Sequence, residues 1–96
     1  MLVKLIKIMK SGRDYSLKQI FVNPSQILYI QEDERFISDL REGAISLDIH
    51  QSTGFSKIRL DSNGIYEELT VVGDPEIIQR KIENVIFSTR KQLLRD

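Results

Sequence analysis

Asp61-Ser62-Asn63-Gly64-Ile65 and, one strand later, Gly73-Asp74-Pro75-Glu76-Ile77 decide the fold of this chain. Asn63-Gly64 predicts a tight hairpin, because asparagine tolerates and glycine freely adopts the positive φ angles of a primed two-residue turn. Upstream, Ser56, Ile58 and Leu60 alternate with Lys57 and Arg59; downstream, Leu69 and Val71 alternate with Glu68 and Thr70. That is the period of a sheet with one face against a core. Gly73 then closes the strand, Asp74 stands where an N-cap belongs, and Pro75 takes the first helical position, where its missing N–H costs nothing.

The helix that starts there carries Ile78, Ile82, Val85, Ile86 and Leu93 at three- and four-residue steps, with Arg80, Lys81, Glu83 and Lys91 off that stripe. Phe87 and Leu94 lie on its flank, and a second apolar edge on one helix suits contact with another chain. Working back toward the start, Leu2 to Met9 reads as a strand with apolar residues on both faces: Leu2, Ile6 and Ile8 on one, Val3, Leu5 and Met9 on the other. Such a strand needs two covers, the C-terminal helix on one side and a partner subunit on the other. Leu2, Val3, Leu5, Phe87 and Leu94 are therefore the expected interface residues.

Ser11-Gly12-Arg13-Asp14 predicts a turn into a second strand, Tyr15 to Val22, and Asn23-Pro24-Ser25 stops it, since Pro24 cannot donate to a ladder. A third strand runs from Gln26 to Gln31. Phe36, Ile37 and Leu40 fall at helical spacing after Asp33, with Gly43 as terminator, which predicts a short helix. Ala44 to His50 alternates cleanly, Ile45, Leu47 and Ile49 against Ser46, Asp48 and His50, and predicts a further strand, turned at Gln51–Gly54 into Phe55. The expected architecture is one α+β domain over residues 1–96: an antiparallel sheet of five or six strands with one long C-terminal helix packed on it.

Composition narrows the function classes. With 96 residues and no cysteine, a disulfide framework and a thiolate metal site are both out, and a reducing cytoplasm is the expected location. The lysines in Met1 to Lys10 interrupt what would otherwise resemble an apolar leader, and no run suits a membrane span. Net charge is zero, from 14 Lys+Arg against 14 Asp+Glu, yet it is unevenly spread. Residues 1–22 hold Lys4, Lys7, Lys10, Arg13 and Lys18 against Asp14; the last twenty residues are also basic and the middle is acidic. The neutral total argues against a general nucleic-acid binder, while basic segments near both ends keep a nucleic-acid-binding regulator as the alternative. Tyr15, Phe21, Tyr29, Phe55 and Tyr66 would be its stacking residues.

No pattern for catalysis stands out. His50 is the only histidine, and alternation puts it with Asp48 on a wet face; Ser52 and Ser56 lack a nucleophile-elbow context, and no glycine has phosphate-loop spacing. Glu67 and Glu68 point to opposite faces of a strand, so one of them pairs across the hairpin with Lys57 or Arg59. The reading is a non-catalytic interaction or accessory module that needs no cofactor and associates with itself.

The run Val22-Asn23-Pro24-Ser25-Gln26-Ile27-Leu28-Tyr29-Ile30, then Ile58-Arg59-Leu60-Asp61-Ser62-Asn63-Gly64, Val71-Val72 and Glu76-Ile77-Ile78 before Ile82, resembles the small flagellar FlbD/SwrD proteins over about half the chain. The shared residues are turn and core positions. The resemblance implies a non-enzymatic accessory protein; a phage-type accessory protein would use the same turns. Residues 31–55 are an insertion relative to that pattern, and the final helix is longer.

Overall fold

The computed structural model describes the backbone of residues 1–50 and 52–95 and the side chains of residues 1–50 and 52–89. Its elements are β1 (Val3–Ser11), β2 (Asp14–Val22), a single 3₁₀ turn (Pro24–Gln26), β3 (Ile27–Glu32), α1 (Glu34–Arg41), β4 (Phe55–Ser62), β5 (Ile65–Val72) and α2 (Pro75–Arg95). The strands form one five-stranded antiparallel sheet in the order β2-β1-β5-β4-β3. The fold is α+β, as the sequence predicts.

Two of the three predicted hairpins form, and both close on two-residue turns. Ser11 pairs with Asp14 around Gly12, whose φ of 63° is the positive value a type II′ turn asks of its first central residue. Ser62 pairs with Ile65 around Asn63 (φ 53°) and Gly64 (φ 83°), a type I′ turn, and the Gly64 N–H donates to Asp61 Oδ1 at 3.1 Å. Both helices start as their caps dictate. The Ile77 N–H donates to Asp74 Oδ1 at 3.0 Å, with Pro75 next to the cap, and the Phe36 N–H donates to Asp33 Oδ1 at 3.1 Å.

The ladders fix strand direction, and direction forces curvature. β2 and β3 both run opposite to β1, at opposite edges of the sheet, yet only Asn23 to Gln26 join them. In a flat sheet the four strand spacings between those edges alone span about 19 Å. Val22 lies level with Val3, whereas Ile27 lies level with Leu60, which adds an offset of about 26 Å along the strands. Five Cα steps from Val22 to Ile27 reach at most about 19 Å. The sheet must therefore coil enough to bring the end of β2 within reach of the start of β3 at this one corner. The corner is held by Asn23, whose Oδ1 accepts from the N–H and hydroxyl of Ser25.

The concave face holds the main core. Val3, Leu5, Val22, Ile58, Leu69, Val71 and Ile78 are buried there, with Ile20 from one edge and Ile27 and Ile30 from the other packed against them. α2 lies in this trough against β1, β3 and β4, through Ile78, Ile82 and Val85. Ser56, fully buried on the same face, donates its hydroxyl to the Gly73 carbonyl at 2.7 Å and so ties β4 to the start of α2. Val72 and Phe55, each adjacent in sequence to a concave-face residue, point to the convex face, where they join Phe36 and Ile45 in a smaller core with Ile8, Tyr15, Ile37, Leu40, Leu47 and Ile49 around them. The Phe36 ring lies 4.8 Å from that of Phe55 at a 60° tilt and 6.0 Å, edge-on, from that of Tyr15.

The expected strand at Ala44–His50 does not form. β4 has β3 on one side and β5 on the other, so no ladder remains open for a hairpin partner. The segment instead folds back on α1, its Ile45 N–H donating to the Asp39 carbonyl at 3.2 Å, and the alternating Ile45, Leu47 and Ile49 serve the smaller core as an irregular loop. Gln51–Gly54 is correspondingly no hairpin turn, and Gln51 lies outside the described residues. Gly54 matters for a different reason: its carbonyl accepts from the Gly73 N–H at 2.8 Å, and a Cβ there would sit 3.0 Å from the Asp74 Cβ.

Candidate interaction surface

The nine-pair register of the β1–β2 hairpin determines which side chains share a face. Val3, Leu5, Ile20 and Val22 turn inward under α2. Their neighbours turn outward: Lys4 opposite Phe21, Ile6 opposite Gln19, Ile8 opposite Leu17. α1 and the following loop cover Ile8 and Tyr15, at the far end of the hairpin, and stop there. Leu2 (55% exposed), Leu17 (45%) and Phe21 (61%) are left in solvent with the half-buried Ile6. The convex face of this hairpin thus leaves Leu2, Leu17 and Phe21 uncovered, interleaved with Lys4 and Gln19, beside the edge strand β2.

The other half of the convex face carries a polar cluster. Tyr29, Arg59 and Glu68 stand abreast on β3, β4 and β5. The Tyr29 hydroxyl donates to Glu68 Oε1 at 2.9 Å, Arg59 Nη1 lies 3.9 Å from the same oxygen, and the Arg59 guanidinium stacks 4.6 Å from the centre of the Tyr66 ring. Glu68 is the member of the Glu67–Glu68 pair that reaches across the hairpin, and Arg59 is its partner. Between the two halves, β1 and β5 share a single pair, Lys7 with Val71, and then part. A shallow groove of about 350 Å³ opens there, with Lys7 and Lys10 on the β1 side and Glu67 and Glu68 on the β5 side.

The residues expected at an interface do not come together. Leu2 lies on the exposed patch. Val3 and Leu5 are buried against α2, which takes them out of any surface; the sequence shows that both faces of β1 are apolar, and the helix claims this one. Phe87 is 67% exposed on α2, away from the hairpin's convex face, and the Leu94 side chain lies outside the described residues. Leu17 and Phe21, the second expected only as a stacking residue, are exposed members of the patch. Their signal is the two-residue turn at Gly12-Arg13, which places Leu17 opposite Ile8 and Phe21 opposite Lys4.

The stacking platform also disperses. Phe55 is fully buried, Tyr15 packs on Phe36, Tyr66 has one ring face against Arg59 and Tyr29 is engaged with Glu68, while Phe21 stands on the other hairpin opposite Lys4. His50 lies in the exposed loop after α1, where its Nδ1 accepts from the Ser52 N–H at 3.1 Å and lies 2.6 Å from the Ser52 hydroxyl. Both contacts are made within a local turn. Among the described residues no group of three or more histidine, aspartate or glutamate side chains converges as metal ligands, and no helix is long and apolar enough to cross a membrane. Neither a protein-family model nor a curated protein nor a solved structure matches this chain.

Proposed function

We propose that the protein is a small non-catalytic interaction module that self-associates through its β1–β2 hairpin. The observation that carries this reading is that Leu2, Leu17 and Phe21 stay exposed among the described residues, on one face of the hairpin beside a sheet-edge strand. Leu17 and Phe21 flank Gln19 along β2, with Ile6 opposite Gln19 and Leu2 beyond Lys4, so the exposed apolar side chains gather on one hairpin face and are not scattered singly. An accessory role of the flagellar or phage type, in the cytoplasm, belongs to the same proposal and rests on the turn and core residues quoted above. Light scattering coupled to size exclusion tests it. The parent chain should run as a dimer or larger at micromolar concentration, and Phe21→Ser should run as a monomer with an unchanged melting temperature. A parent chain that is monomeric up to about 100 µM, where even a weak association of about −5.5 kcal/mol would show, sinks the reading.

One observation favours a second reading. Lys7 and Lys18 stand directly opposite each other on the hairpin's inner face, an arrangement that costs energy unless an anion lies between them. A nucleic-acid-binding regulator would use Lys7 and Lys18 on this inner face with Arg13 at the turn, Lys4 and Lys10 lying on the other face. Its affinity would fall steeply as salt rises, by the release of counterions from the phosphates. No binding to single- or double-stranded DNA or RNA at low salt removes it.

A further inference from the structure

We infer that two copies of this chain join by antiparallel pairing of β2 with β2, about a two-fold axis through Gln19. The inference rests on the self-association proposed above and specifies its register. Three features lead to it.

The first is which edge is open. Of the two edge strands, β3 has six residues and its ladder slips between Ile27 and Tyr29, so that its rim is short and kinked. Bulges and brevity are what natural sheets use to blunt an edge. β2 has nine residues, all in unbroken register with β1, and carries no bulge or proline.

The second is where the backbone groups of β2 point. The closing pair of a two-residue hairpin exchanges both of its hydrogen bonds, so Asp14 faces β1, and with it Ser16, Lys18, Ile20 and Val22. Tyr15, Leu17, Gln19 and Phe21 therefore present their N–H and C=O groups outward. These are also the residues whose side chains occupy the convex face. Any strand added at this edge meets hydrogen-bonding groups and the apolar patch at the same positions.

The third is register. A two-fold axis perpendicular to the sheet keeps convex residues opposite convex residues. Centred on Gln19, it sets Leu17 opposite Phe21 of the partner subunit and Phe21 opposite the partner's Leu17, with Lys18 opposite the partner's Ile20. Aliphatic-to-aromatic cross-strand pairs of this kind stabilise sheets. The three outward pairs supply about six backbone hydrogen bonds. Moving the axis by one residue to Lys18 places Lys18 opposite its own copy in a close, non-hydrogen-bonded pair and leaves Leu17 facing a glutamine. The sequence thus suits one register and opposes the next, and the product is a ten-stranded sheet continuous through both subunits.

The chain contains no cysteine, so single-cysteine variants report the register directly. In the proposed pairing the two Gln19 Cα atoms are about 5.5 Å apart, inside the range a disulfide accepts, while the two Lys18 Cα atoms are about 8 Å apart and outside it. Under mild oxidation Gln19→Cys should give a covalent dimer at least about ten-fold faster than Lys18→Cys or Leu17→Cys, because only the first can close a disulfide without backbone movement. Leu17→Cys mixed with Phe21→Cys should cross-link, with neither doing so alone. Faster cross-linking of Lys18→Cys in a chain that is dimeric by light scattering overturns the register and leaves self-association standing. A monomeric parent chain overturns both. A monomer whose β2 amides become protected from hydrogen exchange only when an extended acidic peptide is added gives the edge to another occupant and likewise overturns the inference.

Discussion

Replacing Asp33 by alanine should detach α1 from the sheet. The carboxylate is 5% exposed, and both of its oxygens are engaged: Oδ1 accepts from the Phe36 N–H at 3.1 Å and Oδ2 from the Thr70 hydroxyl at 2.7 Å. The first bond caps α1, and losing such a cap costs about 1 kcal/mol. The second joins α1 to β5 and, being made to a charged acceptor, contributes about 1.5–3 kcal/mol. Against these stands the desolvation that the buried carboxylate no longer suffers, so the net loss should be about 2–3 kcal/mol. For a domain of this size that lowers the melting temperature by about 10–15 °C. An eight-residue helix has no stability of its own to fall back on.

Urea unfolding of the parent, Asp33→Ala, Thr70→Val and the double variant measures the effect and apportions it. Asp33→Asn should cost about 1 kcal/mol or less, since its amide oxygen can still accept from Phe36 while the amide nitrogen donates to the Thr70 oxygen. The cycle should return a coupling of about 1 kcal/mol or more between Asp33 and Thr70. A loss below about 0.5 kcal/mol for Asp33→Ala, the level of an ordinary surface change, would show that α1 is not held by this residue.

Two other substitutions examine how the sheet meets α2. Gly54→Ala should cost about 1–3 kcal/mol in thermal or urea unfolding, because the new Cβ meets the Asp74 Cβ at 3.0 Å and its backbone nitrogen at 3.1 Å. Ile78→Ala, at a fully buried site in the trough, should cost about 3–4 kcal/mol, near the middle of the range for such truncations. A loss below about 1 kcal/mol there would mean that α2 is not seated on the concave face.

Local chemistry was legible in this sequence wherever one residue type was required by one backbone geometry. Gly12 and Asn63-Gly64 announce their turns, and Asp33 and Asp74-Pro75 announce the helix starts. What periodicity could not convey was which partners were available. Ala44–His50 has a strand's alternation, but β4 is already paired on both sides, so the same apolar residues are buried by a loop. Gly54 looks like a turn residue and is in fact a point where two backbones approach. The Lys7–Val71 pairing and the curl imposed by Asn23–Gln26 depend on strand order, which no local pattern encodes. The interface expectation failed at Val3 and Leu5 for the same reason: two apolar faces are visible on β1, but the path of α2 decides which one stays exposed.

The lysines around the open edge govern how strongly it can pair. Of the five cations in the hairpin only Lys18 is on β2; Lys4, Lys7 and Lys10 are one strand behind, and Arg13 is at the turn. In a dimer centred on Gln19 the two Lys18 side chains start about 8 Å apart, a separation at which two charges in water repel by about 0.5 kcal/mol before screening. The lysines of β1 are more than about 14 Å from their counterparts across three strand spacings, beyond the Debye length of about 8 Å at physiological ionic strength. The repulsion is too small to prevent association, yet sufficient to give it a sign. Raising ionic strength from about 0.01 to about 0.15 M should tighten the dimer measurably in sedimentation equilibrium, the reverse of what phosphate binding by the same lysines would show. A dimer that loosens over that range would place oppositely charged surfaces at the contact, as in a head-to-tail meeting of this basic hairpin with the acidic Glu32–Glu42 segment, and the Gln19-centred pairing would be wrong.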